Sequence, residues 1–261
     1  MGMSEAKKLV SKTSFSIPSA EDFIAFWVKE LEEHEFEYTR PEENRVEVAT
    51  PYGNSSLVVD GTLAAIEVAA SSFENLINMR EGVTLHLEEI DPAFEKIAWS
   101  GANDPGSLLP NLRLVNVHSV QRLGDLYWRI GITGDDIKHF AKKGLHFRLV
   151  RQQNHERDPV WPTLSERGTP AWPKGEDELI DRVYTTRFFD EEKSLLSFDV
   201  FIHDGGFTSD WAGSEPIGER VAIMGPGGGW YPDAQRLIIA GDETALPAIA
   251  RILENAGPNV T

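Results

Sequence analysis

The sequence predicts a multi-domain α+β protein, and three patterns carry that expectation. Two stretches of helical period enclose short β-like pieces near the N-terminus, six strand-like segments with little helix between them fill the middle, and a strand meets a helix through a tight turn near the C-terminus. The chain accordingly divides into a small α+β domain over residues 14–100, a six-stranded antiparallel β-barrel over 108–232, and the start of an α/β domain over 233–261. A length of 261 residues favours more than one domain, since a single domain averages about 150.

In the first domain, Ser19-Ala20-Glu21-Asp22 has the form of a capping box, and Phe23, Ile24, Trp27 and Leu31 follow at helical spacing. Four β-like pieces come next, Phe36 to Thr39, Arg45 to Ala49, Ser56 to Val59 and Leu63 to Val68. They are punctuated by Pro41, Pro51-Tyr52-Gly53-Asn54 and Asp60-Gly61, and a helix from about Ser71 to Glu89 closes the unit. Turn-rich residues 101–107 mark a boundary. The six barrel strands are Leu112 to Val120, Asp125 to Thr133, His146 to Arg151, Leu179 to Arg187, Leu195 to His203 and Arg220 to Met224, with a helix candidate around Asp135 to Lys142. A polar loop, Gln152 to Asp177, is long enough to be functional or an insertion. In the last segment the apolar run Leu237-Ile238-Ile239-Ala240 feeds a helix through Gly241 to Pro247. A strand-turn-helix unit of that kind turns unpaired N–H groups toward a nucleotide.

Composition narrows the function. Cysteine is absent, which removes disulfide scaffolds, thiolate zinc sites and cysteine-ligated iron-sulfur clusters, so redox chemistry would need an organic cofactor or haem. A net charge of -17 argues against nucleic acid as a partner. No apolar run reaches the length of a bilayer span and the first residues lack the core of a signal peptide, so no membrane insertion is expected and the chain reads as cytoplasmic. Gly225-Pro226-Gly227-Gly228-Gly229 lacks the residues of a phosphate loop and reads as a turn leaving the barrel. His34 and His86 read as helix-face residues, so no metal site is expected, and no G-x-S-x-G elbow is present.

The richest segment is Arg182-Val183-Tyr184-Thr185-Thr186-Arg187, which offers an aromatic plane, hydroxyls and two guanidinium groups within six residues. That set suits a flat ring joined to phosphate, by stacking on the one and bidentate hydrogen bonds to the other. An ordinary alternating strand would look the same in isolation. Downstream follow His203 with Trp211-Ala212 after seven intervening residues, and then Gly241-Asp242-Glu243-Thr244-Ala245-Leu246-Pro247.

This ordered set, from about Leu112 to Leu253, resembles the siderophore-interacting proteins, a branch of the ferredoxin-reductase-like flavoproteins that reduce ferric siderophores. The resemblance implies a Greek-key FAD-binding barrel followed by a nicotinamide-binding α/β domain, which this chain is expected to carry in truncated form. It implies that Arg182 pairs with the flavin diphosphate, that Tyr184 stacks on the isoalloxazine, and that Thr185 hydrogen-bonds near its N5 edge, with Thr186 and Arg187 completing the motif. His203, Ser209, Trp211 and Ala212 would hold the diphosphate and adenine side, and Asp242, Thr244 and Ala245 would face the flavin from the mouth of the nicotinamide domain. Gly144, His146 and Arg148 match a strand whose role is structural first. Lys142, Lys143, Arg148 and Arg151 form the best basic cluster, either a solvated rim or a contact for an anionic iron chelate.

The activity implied is FAD-dependent reduction of a ferric siderophore with NADPH, NADH or reduced ferredoxin as donor. A nicotinamide gives hydride, iron takes single electrons, and a flavin joins the two. An electron added to iron lowers the metal charge and weakens its bonds to hard oxygen donors, so no protein acid or base is expected to be catalytic. A general flavoprotein electron transferase and a non-catalytic flavin- or siderophore-binding module are the alternatives. The N-terminal domain, through Thr50-Pro51-Tyr52-Gly53 and its final helix, resembles a small domain of unassigned function that accompanies some of these reductases, and docking or dimerisation is its default role.

Overall fold

The computed structural model describes residues 9–101, 104–142, 144–153, 157–229, 231–232 and 234–257. It is a mixed α+β protein of two compact units. One comprises residues up to Asn111 together with Trp161–Trp172, and the other Leu112–Val160 together with the chain from Pro173.

The first unit contains β1 (Leu9–Ser16), α1 (Ala20–Glu33), β2 (Tyr38–Glu42), β3 (Arg45–Thr50), β4 (Gly53–Asp60), β5 (Leu63–Ala70), α2 (Phe73–Ile90) and β6 (Ser100–Gly101). Its six strands run in the order β2-β3-β4-β5-β1-β6, every pair antiparallel. Burial alternates along the sheet. Leu57 and Val59 on β4, and Ala64, Ile66 and Val68 on β5, face the core, whereas their neighbours are half-buried. Against them pack Phe23, Trp27 and Leu31 of α1 and Leu76, Val83 and Leu87 of α2, the positions that helical spacing brings to one side. Ser19 and Ser72 cap the two helices, each accepting a hydrogen bond from the backbone N–H three residues on.

Two features of this unit depart from the expected 14–100 domain. β1 begins at Leu9, and its inward residues are Ser11 and Thr13, so the strand carries no apolar alternation. The segment Trp161–Trp172, expected as part of a barrel loop, forms the hairpin β10 (Thr163–Leu164) and β11 (Pro170–Ala171) within this unit. Arg80 fixes both. Its fully buried guanidinium donates to Ser11 Oγ at 2.8 Å and to the Gly168 carbonyl at 3.2 Å, and burial pulls its pKa down to about 10. Gly168 has φ +77°, and a Cβ there would stand 2.8 Å from the Arg80 guanidinium.

The second unit contains β7 (Leu112–Leu123), β8 (Tyr127–Thr133), β9 (His146–Gln152), β12 (Leu179–Thr185), β13 (Phe188–Asp190), β14 (Leu195–Phe201), α3 (Phe207–Gly213), β15 (Arg220–Gly227) and α4 (Leu246–Asn255). Seven strands, rather than six, form an antiparallel sheet in the order β12-β9-β15-β7-β8-β14-β13, and no ladder joins its two ends among the described residues. The extra strand is β13, which begins just beyond the expected end of the fourth strand at Arg187 and pairs with β14, whereas β12 pairs with β9. Phe147, Phe198, Ile130 and Val221 lie at the centre of its core.

Three local expectations change. The helix around Asp135 to Lys142 is only a 3-10 turn, Lys138–Ala141. Gly225 to Gly227 continue β15 instead of leaving it. Leu237 to Ala240 form no strand, and Ile238 is 98% exposed. A β-strand needs a neighbour for its N–H and C=O groups, and none pairs with this run among the described residues. The following helix forms as expected, as α4.

Candidate functional site

A cleft of about 610 Å3 lies in the second unit where β12, the end of β14, the segment entering α3 and the start of α4 converge. That volume is in the ordinary range for small-molecule sites. β12 contributes Arg182, Val183, Tyr184 and Thr185, and the stretch from Asp199 to Ser209 contributes Phe201, His203, Gly205, Gly206, Phe207, Thr208 and Ser209. Thr244, Ala245, Pro247 and Ala248 complete the lining with Tyr127 and His146.

Pairing of β12 with β9 sets the position of the aromatic. Tyr184 is opposite Phe147 and Thr185 opposite His146, and Tyr184 packs on the fully buried Phe198 at 5.2 Å between ring centroids. Burial pushes the Tyr184 phenol up, and its hydrogen bond with Thr208 acts in the opposite direction. Thr185 Oγ1 lies 3.2 Å from His146 Nδ1. Burial first, and the nearby Arg251 cation second, hold His146 below its ordinary 6.5, so the imidazole is neutral at pH 7. On the opposite strand Asp199 is committed to Arg129 through two bonds of 2.7 and 2.8 Å. Phe201 stands edge-on to Tyr127 at 5.8 Å and stacks with His203 at 6.3 Å.

The wall made by α4 is held by polar contacts. The Arg251 guanidinium, 4% exposed, donates to the carbonyls of Ala141 at 2.8 Å, Leu145 at 3.0 Å and Gly144 at 3.2 Å, while its Nε donates to Tyr231 Oη at 3.2 Å. Gly144 has φ +133°, and a Cβ there would stand 2.7 Å from the Gly227 carbonyl oxygen, so only glycine fits. Glu254 makes a forked pair with Arg187 at 2.5 and 2.6 Å, which holds its carboxyl below the usual range. Tyr127 Oη donates to the Glu243 carbonyl at 2.6 Å. Asp242 closes the turn before α4 by accepting from Thr244 Oγ1 at 2.6 Å, Thr244 N at 3.0 Å and Ala245 N at 3.2 Å. Its carboxyl is held low, by the Thr244 hydroxyl first.

Of the residues expected to hold a cofactor, Arg182, Tyr184, Thr185, His203, Ser209, Thr244 and Ala245 line this one cleft. The others do not. Thr186 is buried with its hydroxyl on the Phe140 carbonyl, Arg187 is committed to Glu254, and Asp242 is spent on its own turn. Ala212 is core, and Trp211 is buried with its indole N–H on Glu219 at 3.0 Å. The basic cluster is dispersed. Lys142 pairs with Glu191 at 3.0 Å, and Arg148 lies 3.5 Å from Asp181 on an exposed face. Arg151 is 2% exposed, 3.9 Å over the Trp211 ring and 4.7 Å over Phe207, with burial lowering it to about 10. It therefore belongs to no solvated rim. Lys143 lies outside the described residues. Sequence reasoning passed over Tyr127, Phe201, Phe207 and Thr208 as site residues; the last three stand inside or beside the His203 motif, whereas nothing local marks Tyr127.

Residues 116–230 match the family described as the siderophore-interacting FAD-binding domain. The NADPH-dependent ferric-chelate reductase of Escherichia coli is 34% identical over 147 residues, 54% of this chain and 56% of that protein. The ferric vibriobactin reductase ViuB of Vibrio cholerae is 31% identical over 134 residues, 48% of this chain and 47% of that protein. The chain thus spans about half the length of the curated relatives it matches. A siderophore utilization protein from T. fusca is similar in structure, with a TM-score of 0.48, 31% identity and 57% of each chain covered.

Proposed function

We propose that this chain, whose second unit carries a siderophore-interacting FAD-binding domain, holds FAD in the β12–α4 cleft and serves the reduction of a ferric siderophore with NAD(P)H as donor. The observation that carries the reading is the convergence of seven of the expected cofactor residues on one cleft, although they come from three separate stretches of chain. The names of the relatives support the reaction class.

The donor set fits the cofactor. A flat heteroaromatic ring needs an aromatic partner and a polar edge, which Tyr184 and Thr185 supply side by side. A diphosphate needs charged and neutral donors near close-lying backbone, which Arg182, His203, Ser209 and the Gly205-Gly206 pair supply. At Gly206 a Cβ would come within 2.6 Å of the His203 imidazole, so the bare backbone keeps the chain close to that ring. When bound, FAD supplies the exchange of a hydride's electron pair for the single electrons that iron accepts.

This chain's own residues bind, orient and exclude water. Tyr184 is braced by Phe198 behind it, so its ring plane is set before any ligand arrives. Thr185 shares a hydrogen bond with a neutral His146, which leaves the pair able to donate to or accept from a ring edge. The start of α4 narrows the cleft opposite β12. The ferric chelate is the substrate: one electron lowers the iron charge, its hard oxygen ligands bind less tightly, and the ion leaves.

The test is the visible spectrum of the purified chain reconstituted with FAD. A bound-flavin spectrum that bleaches with NADPH or NADH under anaerobic conditions and recovers on adding ferric siderophore is expected, with reduced ferredoxin as a second donor arm. Flavin that binds and is reduced but is not reoxidised by ferric chelate would reject the reductase reading.

A further inference from the structure

We propose that the first unit binds one divalent transition-metal ion between the ends of α1 and α2, through Glu30, His34, His86 and Glu89. The site is separate from the flavin cleft and does not rest on the function proposed for it.

Glu30 lies in the last turn of α1 and His34 is its C-cap, one helical turn on. His86 and Glu89 lie three residues apart near the C-terminal end of α2. Spacings of three and four put each pair on one helix face. Their donor atoms all stand within 4.8 Å of one another. His34 Nε2 is 3.9 Å from both Glu30 Oε2 and Glu89 Oε2, and His86 Nδ1 is 3.8 and 3.7 Å from the same two oxygens.

These distances are too long for hydrogen bonds and close to what a metal requires. Four ligands at about 2.0–2.1 Å in a tetrahedron lie about 3.3–3.4 Å apart, so each donor has to move inward by only a few tenths of an ångström. His86 Nδ1 is buried and makes no hydrogen bond, although two carboxylates stand beside it. A buried acceptor nitrogen without a partner is costly, and a cation would satisfy it.

The electrostatics agree. Two carboxylates converge where both helices present their negative ends, and neither helix has a Lys or Arg in its last turn. The rings of His34 and His86 stand edge-on to one another with centroids 4.6 Å apart, so the two imidazoles pack together at the site. Two carboxylate oxygens and two imidazole nitrogens form a mixed donor set, which selects zinc or ferrous iron over calcium or magnesium, which take six or more oxygens.

The experiment is calorimetric titration of the EDTA-stripped full chain with Zn2+, with Fe2+ under anaerobic conditions, and with Mg2+ and Ca2+. One equivalent of Zn2+ or Fe2+ is expected to bind, with no comparable Mg2+ or Ca2+ signal. His34→Ala and Glu89→Gln, both at exposed side chains, are each expected to weaken Zn2+ by more than about 100-fold, beyond the 10–100-fold that loss of an outer partner costs. Melting of the metal-free variants at the wild-type temperature separates loss of ligation from loss of folding. Substitution with Co2+ is expected to give the visible d–d bands of a four-coordinate ion, absent in both variants. Zn2+ binding that is undetectable in the wild type, unchanged in the two variants, or matched by Ca2+ would overturn the proposal.

Discussion

Replacing Arg251 by Ala should release α4 and dissolve one wall of the cleft. The side chain reaches out of a ten-residue helix to three backbone carbonyls, those of Ala141, Gly144 and Leu145, and to the Tyr231 hydroxyl. A hydrogen bond from a charged donor contributes about 1.5–3 kcal/mol. Taking only the lower value for the three carbonyl bonds gives about 4–5 kcal/mol of docking free energy, and the stranded carbonyls add to the loss. Its other polar anchors are the exposed forked pair of Glu254 with Arg187 and the Tyr127 hydrogen bond to the Glu243 carbonyl just before it. Among its described residues only Pro247 and Arg251 are buried, and a helix of this length is marginal in water on its own.

At about 1.4 kcal/mol per factor of ten, 4 kcal/mol corresponds to a fall of about 1,000-fold in amide protection. Hydrogen exchange read by mass spectrometry on peptides spanning residues 241–257 should therefore show α4 exchanging near the rate of an undocked helix in Arg251→Ala. β9 and β12 should keep their protection. Arg251→Lys should restore only part of it, because an ammonium cannot reach three acceptors in the plane of a fork. Unchanged protection of α4 in the Ala variant would refute the claim that this side chain holds the helix.

Three further outcomes follow from the same geometry. Tyr184→Ala should weaken FAD by about 1–3 kcal/mol, the worth of a planar base stacked on an aromatic side chain, with an effect of similar size for Arg182→Ala through lost charge-assisted bonds; a flavin-fluorescence titration reads both, and a Kd within twofold of wild type would count against the proposed pose. The two buried arginines should behave oppositely on substitution by Met. Arg80→Met should lower the melting temperature because it removes the donor to Ser11 Oγ and leaves the Gly168 carbonyl without it, whereas Arg151→Met should change the unfolding free energy by no more than about 1 kcal/mol, because Nε and Nη1 of Arg151 have no hydrogen-bond partner to lose and Met can keep the packing on Trp211 and Phe207. Acid should destabilise the second unit in two windows. Native His146 resists protonation, so a penalty is absent above 6.5 and grows as pH falls below it; Glu254, held below 4.5 by Arg187, adds stability above 4.5 that is lost as pH falls through its native value. Melting curves against pH should lose the first window in His146→Gln and the second in Glu254→Gln.

The elements that sequence reveals here are those whose burial is apolar and periodic. α1, α2 and the strands from Arg45 to Ala70 each repeat their core residues at 3.6 or 2, and the structure reproduces them to within a few residues. β1 escapes because Ser11 and Thr13 face inward, where Arg80 and the Ser100 carbonyl satisfy Ser11. The run Leu237 to Ala240 misleads for the converse reason: its apolar content suits a buried strand, but strand formation depends on a neighbour that a local pattern cannot supply. Of the six-residue motif at β12, the first residues line the cleft and the last two, Thr186 and Arg187, serve the fold. That division depends on where the ladder breaks, and composition carries no trace of it. His34 and His86 each look like ordinary helix-face residues; their convergence depends on the packing of two helices 50 residues apart in the chain, which spacing within either helix cannot reveal.

The α4 wall also links ligand binding to local order. A ligand that touches both β12 and the Thr244–Ala248 turn binds the docked helix and not the released one, so it stabilises docking by RT ln(1 + [L]/Kd), about 2.7 kcal/mol at 100 times Kd. That is smaller than the 4–5 kcal/mol assigned to Arg251, but comparable to it. Saturating FAD should therefore return about two of the three lost decades of α4 protection in Arg251→Ala. A ligand confined to β12 and the His203 segment would return none. The size of the rescue thus measures how far the bound cofactor reaches across the cleft, independently of any electron transfer.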